Sequence, residues 1–161
     1  AAARDDTRIY LTGGATAVLI GWRGSTIDVD IKIVPERDEL FRAIPHLKER
    51  SNLNVELACP SDFIPALPGW EARSIHVSRE GLTDWFHYDL YSQALSKIER
   101  HHAQDAEDVR QMLARGLVEA GRLREFFEAI RPGLIRYPAI DPAAFARRLD
   151  VTLPAERGFK T

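Results

Sequence analysis

Cysteine is nearly missing from this chain: Cys59 is the only one in 161 residues, so no intrachain disulfide can form. That economy suits a reducing cytoplasm, which is the expected location. Neither a CxxC nor an HExxH spacing occurs, so His101-His102, although close to acids, does not read as a zinc site. No apolar run approaches the ~20 residues that a membrane helix needs, and no membrane partner is expected. Net charge is also small, at -2, and from 97 to 150 basic and acidic residues nearly cancel. A broad basic face for nucleic acid is therefore missing, and a polyanionic substrate would have to be held locally, by a basic patch or by metal. Internal repeats and low-complexity tracts are absent too. The opening Ala1-Ala2-Ala3-Arg4 reads like the end of a helix, so the native start is expected upstream.

What is present suffices for a folded domain. Hydrophobic residues make up 45% and charged residues 29%, enough for a core with a well-solvated surface. Ile9-Tyr10-Leu11 is a short β-type run stopped by Thr12-Gly13-Gly14, after which Ala15 to Ile20 reads as a buried helix closed by Gly21. Residues Ile27 to Val34 alternate: Ile27, Val29, Ile31 and Ile33 point to one face, Asp28, Asp30 and Lys32 to the other, and Pro35 ends the strand. Asp38 to Arg50 is an amphipathic helix expected to be disturbed near Pro45. Leu53 to Ala58 is a third strand, Phe63 to Trp70 a proline-rich loop, and Arg73 to Val77 and Asp84 to Tyr88 weaker strands separated by Gly81. Trp70, Trp85, Phe86 and Tyr88 are read as core. Helices are expected at about 90–102, 104–115 and 117–131, and from Asp141 to Leu149 behind Pro132-Gly133. The class is α+β: a mixed sheet with flanking helices over residues 1–89, then a helical part, 90–161, packed on it.

Two features carry chemistry. On a strand, residues i and i+2 share a face, so Asp28 and Asp30 present two hard oxygen ligands side by side. Two-metal phosphoryl transfer requires such rigid carboxylates, although a half-buried strand also has a polar face for purely structural reasons. The second feature is the strand–Gly13-Gly14–helix unit, where backbone N–H groups can approach a phosphate at the positive helix end. The hydroxyls of Thr12 and Thr16 are further donors. Arg23 can reach a triphosphate or pair with Asp28.

Leu11-Thr12-Gly13-Gly14 followed by Asp28-Val29-Asp30-Ile31 resembles the signature of the polymerase-β-type nucleotidyltransferase superfamily. Within it, Arg23-Gly24-Ser25-Thr26-Ile27-Asp28-Val29-Asp30 is similar to the bacterial branch with AbiEii-type toxins and related uncharacterised domains, a likeness that spans roughly residues 8 to 115. The resemblance implies a minimal nucleotidyltransferase core and Mg²⁺ (or Mn²⁺) held by Asp28 and Asp30. It also implies an NTP such as ATP as donor, with phosphates on Gly13, Gly14, Thr16 and Arg23. A third carboxylate is expected on a later strand as apolar–acid–apolar. Val55-Glu56-Leu57 fits, with Glu56 holding metal or deprotonating the attacking hydroxyl, and Asp62 is the alternative.

Lys97, His101, Asp105 and Asp108 fall within an arc of roughly 80° if their helix is continuous. Ser96-Lys97-Ile98-Glu99-Arg100 and Gln104-Asp105-Ala106-Glu107-Asp108-Val109 resemble the lysine motif and later aspartate motif of the AbiEii-type branch. By that likeness Lys97 contacts nucleotide phosphates and Asp105 is the later acidic position, while Asp108 orients Lys97 or caps a helix. The same spacing also describes a solvated helix face with pairs worth ~0.2–0.5 kcal/mol each. The expected function is Mg²⁺-dependent transfer of a nucleoside monophosphate from an NTP to a hydroxyl of RNA (tRNA included), protein or a small molecule, within a toxin–antitoxin or abortive-infection system and beside a cognate antitoxin or toxin. The rival is a catalytically weak, antitoxin-like binding module of the same fold.

Overall fold

The computed structural model describes residues 5–153; the expected helix end at Ala1 to Arg4 lies outside them. The order is β1 (Thr7–Thr12), α1 (Gly13–Ile20), β2 (Asp28–Val34), α2 (Asp38–Ser51), β3 (Asn54–Leu57), α3 (Trp70–Arg73), β4 (Ile75–Glu80), β5 (Thr83–His87), α4 (Leu90–Arg100), α5 (Ala103–Ala114), α6 (Ala120–Ile130) and α7 (Pro142–Thr152). Short 3₁₀ turns occupy Pro60–Asp62 and Arg131–Arg136. The fold is α+β, with one mixed five-stranded sheet and many helices after it. Two compact units make up the chain. One comprises 1–59 and 71–89, the other 60–70 and 90–161.

In the sheet unit the strand order is β3-β2-β1-β5-β4. Strand β1 runs antiparallel to β2 and parallel to β5, and β2 runs parallel to β3. Period-two alternation determines what each face carries. Ile9 and Leu11 of β1, Ile31 and Ile33 of β2 and Val55 of β3 pack with Ala15 of α1 and Leu40 of α2, and Val29, Phe41, Ile44 and Trp85 close around them. The opposite face takes Tyr10, Lys32 and Phe86 in one row, with Tyr10 stacked on Phe86 at 5.2 Å. Ile27 departs from the expected apolar face. The strand starts one residue later, and Ile27 stands 67% exposed.

Helix α2 runs uninterrupted through Pro45 instead of being disturbed there. The proline is exposed, so its ring and the one hydrogen bond it forfeits lie on the solvated side, where water replaces the loss. Asn52, at φ 55, ends that helix in the left-handed conformation that asparagine tolerates. The β4–β5 pair is a hairpin turning at Gly81, whose φ of 62 favours glycine. Its first strand begins later and runs longer than Arg73 to Val77, because Arg73 closes α3.

The helical unit has α4 at its centre, in contact with α5, α6 and α7. Its buried apolar side chains include Leu95, Ile98, Val109, Met112, Leu123, Phe127 and Phe145, the last two edge-to-face at 4.9 Å. Helix α7 starts where Asp141 accepts hydrogen bonds from the Ala143 and Ala144 amides and Pro142 fills the first position. Among the described residues no helix is long and apolar enough to cross a membrane.

Candidate active site

The chemistry-bearing residues of the sheet unit meet on the face opposite the apolar core. Register puts Asp28 of β2 beside Asn54 of β3, and Asp30 beside Glu56. Since partners in register share a face, these four side chains form a two-by-two array, three acids and one amide. On the other side of β2, Asp30 pairs with Thr12, the last residue of β1. The chain then turns at Gly13, where φ is +60, a conformation costly for most residues with a Cβ. A Cβ built on Gly13 would lie 3.0 Å from Oδ2 of Asp30. The glycine turn and the acidic array are thus in direct apposition, and glycine is what leaves room between them.

Gly14 has a different neighbour. A Cβ there would collide with the Thr26 hydroxyl, and would stand 3.1 Å from Nη1 of Arg23. The space above Gly14 therefore holds Thr26 and the Arg23 guanidinium. Thr26 closes a local turn, its hydroxyl bonded to both the amide and the carbonyl of Asp28 at 3.2 and 3.1 Å. Thr16, expected as a phosphate donor, is instead wholly buried. Its hydroxyl donates to the Leu11 carbonyl at 3.1 Å and lies 3.1 Å from Nδ1 of the buried His87. Burial holds the His87 pKa below its ordinary value.

Asn54 escaped the sequence reading. Its Nδ2 donates to Oδ1 of Asp28 and to Oε1 of Glu56, both at 3.0 Å. The amide thereby ties the two rows of the array together. The signal was available, because Asn54 and Glu56 are two apart on one strand, but the register that sets Asn54 beside Asp28 is a tertiary fact. Asp62, the alternative third carboxylate, sits in the 3₁₀ turn of the other unit and off the sheet.

Lys97, Asp105 and Asp108 belong to the helical unit and come together there. The Lys97 ammonium donates to Asp105 at 3.0 Å and to Asp108 at 2.7 Å, and Arg100 adds a bond to Asp105 at 2.9 Å. The three are buried, with Lys97 and Asp105 5% exposed and Asp108 0%. The helix is not continuous, so the residues do not share one arc, and their burial sets aside the solvated-face reading. His101, at φ +56, breaks the run, and its amide caps α4 through the Lys97 carbonyl at 2.9 Å. The cluster closes across the α4–α5 corner.

A family model matches residues 2–132, most of the chain. The chain belongs to the DUF6036 family. That family is described as a nucleotidyltransferase of unknown function, which agrees with the apposed glycine turn and acidic strand. No curated protein and no solved structure matches the chain. The AbiEii-type branch is not reached by this match; the nucleotidyltransferase class is.

The donor set of this DUF6036 chain suits a hard divalent cation: carboxylate oxygens on one rigid face, with a glycine beside Asp30 where a side chain would intrude. Among the described residues, no group of three or more histidine, cysteine, aspartate or glutamate side chains is placed to hold a metal ion by itself; Mg²⁺ is commonly bound by one or two carboxylates together with substrate phosphates and water. The amide of Asn54 engages one oxygen each of Asp28 and Glu56.

Proposed function

We propose that this chain transfers a nucleoside monophosphate from an NTP to a hydroxyl acceptor, using Mg²⁺ or Mn²⁺ held by Asp28, Asp30 and Glu56. The observation that carries the reading is the contact of the Gly13 turn with Asp30 on the face shared by Asp28 and Glu56. The cation supplies Lewis-acid stabilisation of charge at the reacting phosphorus and orients the triphosphate. The chain's own residues do the rest. Backbone N–H groups after Thr12, with the Arg23 guanidinium above Gly14, take the phosphates. Glu56, exposed on β3, accepts the proton of the attacking hydroxyl. The oxygen–phosphorus bond forms at the α-phosphate as the bond to the bridging oxygen breaks, and pyrophosphate leaves. Lys97 and Asp105 enter as the internal brace of the helical unit, since the ammonium is already held by two carboxylates. The finer reading, an AbiEii-type toxin acting on tRNA, another RNA or a protein beside a cognate partner, rests on the Arg23 to Asp30 motif.

The test is incubation of the protein with each of the four labelled NTPs, Mg²⁺ and total RNA or lysate, with a chelator control. Label in RNA or in protein identifies the acceptor class. A labelled small-molecule product identifies the third acceptor class, and labelled NTP recovered unchanged with every nucleotide counts against transfer.

A further inference from the structure

Asn54 has no part in the chemistry above, yet its side chain touches both rows of the acidic array. Its Nδ2 spends its two protons on Asp28 Oδ1 and Glu56 Oε1, at 3.0 Å each. An amide nitrogen has two donors and no acceptor, so it can bridge two carboxylates without adding charge. Each acid then has one oxygen fixed by the amide and a second oxygen whose direction is fixed with it. A carboxylate on an exposed strand otherwise turns freely about its terminal torsion.

We propose that Asn54 is a positioning residue for the divalent cation, holding the remaining oxygens of Asp28 and Glu56 in orientation beside Asp30. The inference rests on the metal-dependent reading of this face. Outer-shell partners of this kind, when removed, cost about 10–100-fold in metal affinity. Asn54 itself is partly exposed at the first position of β3, with its backbone amide bonded to the Ile27 carbonyl whatever its side chain. Deleting the side chain therefore leaves the strand pairing in place.

The experiment is Mn²⁺ titration of the whole chain, by calorimetry and by electron paramagnetic resonance of the free ion, for wild type, Asn54→Ala and Asn54→Leu. Leucine matches the amide in shape and lacks its donors. Both variants should bind Mn²⁺ 10–100-fold more weakly, with melting temperatures in the absence of metal close to wild type. In wild type the Asn54 side-chain NH₂ resonance should shift with Mg²⁺ and saturate at the concentration that a parallel Mg²⁺ calorimetric titration gives, a response that an amide remote from the cation would not make. Wild-type affinity in either folded variant, or an NH₂ resonance that ignores Mg²⁺, overturns the positioning role while leaving the metal site standing. Wild type that binds no Mn²⁺ overturns the metal reading and the role of Asn54 with it. The double variant Asp28→Asn/Asp30→Asn tells these cases apart, since it must lose Mn²⁺ if the face binds metal at all.

Discussion

Replacing Lys97 by methionine keeps the aliphatic stem and deletes the ammonium, which isolates the electrostatic part of the α4–α5 corner. In wild type the cluster of Lys97, Arg100, Asp105 and Asp108 is balanced, two cations against two anions. The variant leaves two carboxylates, 5% and 0% exposed, with one cation, Arg100, bonded to Asp105. A unit charge pair ~4 Å apart gains about 4 kcal/mol at an effective dielectric constant near 20, and Lys97 makes two such pairs. Desolvation of the ammonium offsets part of that gain. Breaking a buried pair by removing one partner typically costs about 3–5 kcal/mol, because the remaining charge stays buried. For a chain of this size each kcal/mol moves the melting temperature by roughly 2–4 °C, so a fall of about 6–20 °C is expected. Differential scanning calorimetry reads it directly. Adding Asp108→Asn to Lys97→Met should recover part of the loss, since the uncompensated charge goes too. A single variant within about 2 °C of wild type would refute the brace, because a buried ammonium between two carboxylates cannot be removed at so little cost.

Gly14→Ala should lower the melting temperature, and Thr26→Ala placed with it should restore part, because a Gly14 Cβ and the Thr26 hydroxyl claim the same space. Equal melting of the single and double variants would contradict that packing. Glu56→Gln should lower transfer about 10²-fold or more with little change in melting temperature, as a proton acceptor on an exposed strand position would; wild-type rates would remove it from the mechanism. His87 gives an acid-side prediction. Its pKa is lowered in the folded chain, so the unfolded chain takes a proton first as the pH falls. The stability it contributes is present above the ordinary value of about 6.5 and is lost as pH falls below it. His87→Gln should therefore lose less melting temperature between about pH 7 and 5.5 than wild type does, and parallel curves would show that the ring is not the sensor.

Local pattern carried much of this fold. The alternation from Asp28 to Val34 is enforced by a one-sided core, so Val29, Ile31 and Ile33 point inward and the aspartates outward, as their spacing alone implies. Gly13-Gly14 is legible for the same kind of reason, since φ +60 at Gly13 favours glycine. What escaped depends on pairing between distant segments. Asn54 matters because β3 lies in parallel register with β2, and no local pattern states that register. Thr16 looked like a phosphate donor because its neighbours did, but one helical turn directs its hydroxyl to Leu11 and His87. Lys97 and Asp105 are read from spacing as helix-face or site residues, but their mutual burial depends on the break at His101, which helical spacing does not reveal.

The central claim is that the face bearing Asp28, Asp30 and Glu56 is a cation-dependent nucleotidyl-transfer site. The most direct test is transfer of label from an α-labelled NTP, with and without Mg²⁺, by wild type and by Asp28→Asn/Asp30→Asn. Asparagine is nearly isosteric with aspartate but lacks the charge that holds a cation, so the fold should survive and far-ultraviolet circular dichroism should match wild type. Wild type should label its acceptor only with Mg²⁺ or Mn²⁺ present, and the double variant should give no label above the chelator control. Undiminished Mg²⁺-dependent transfer by the folded double variant would contradict the claim.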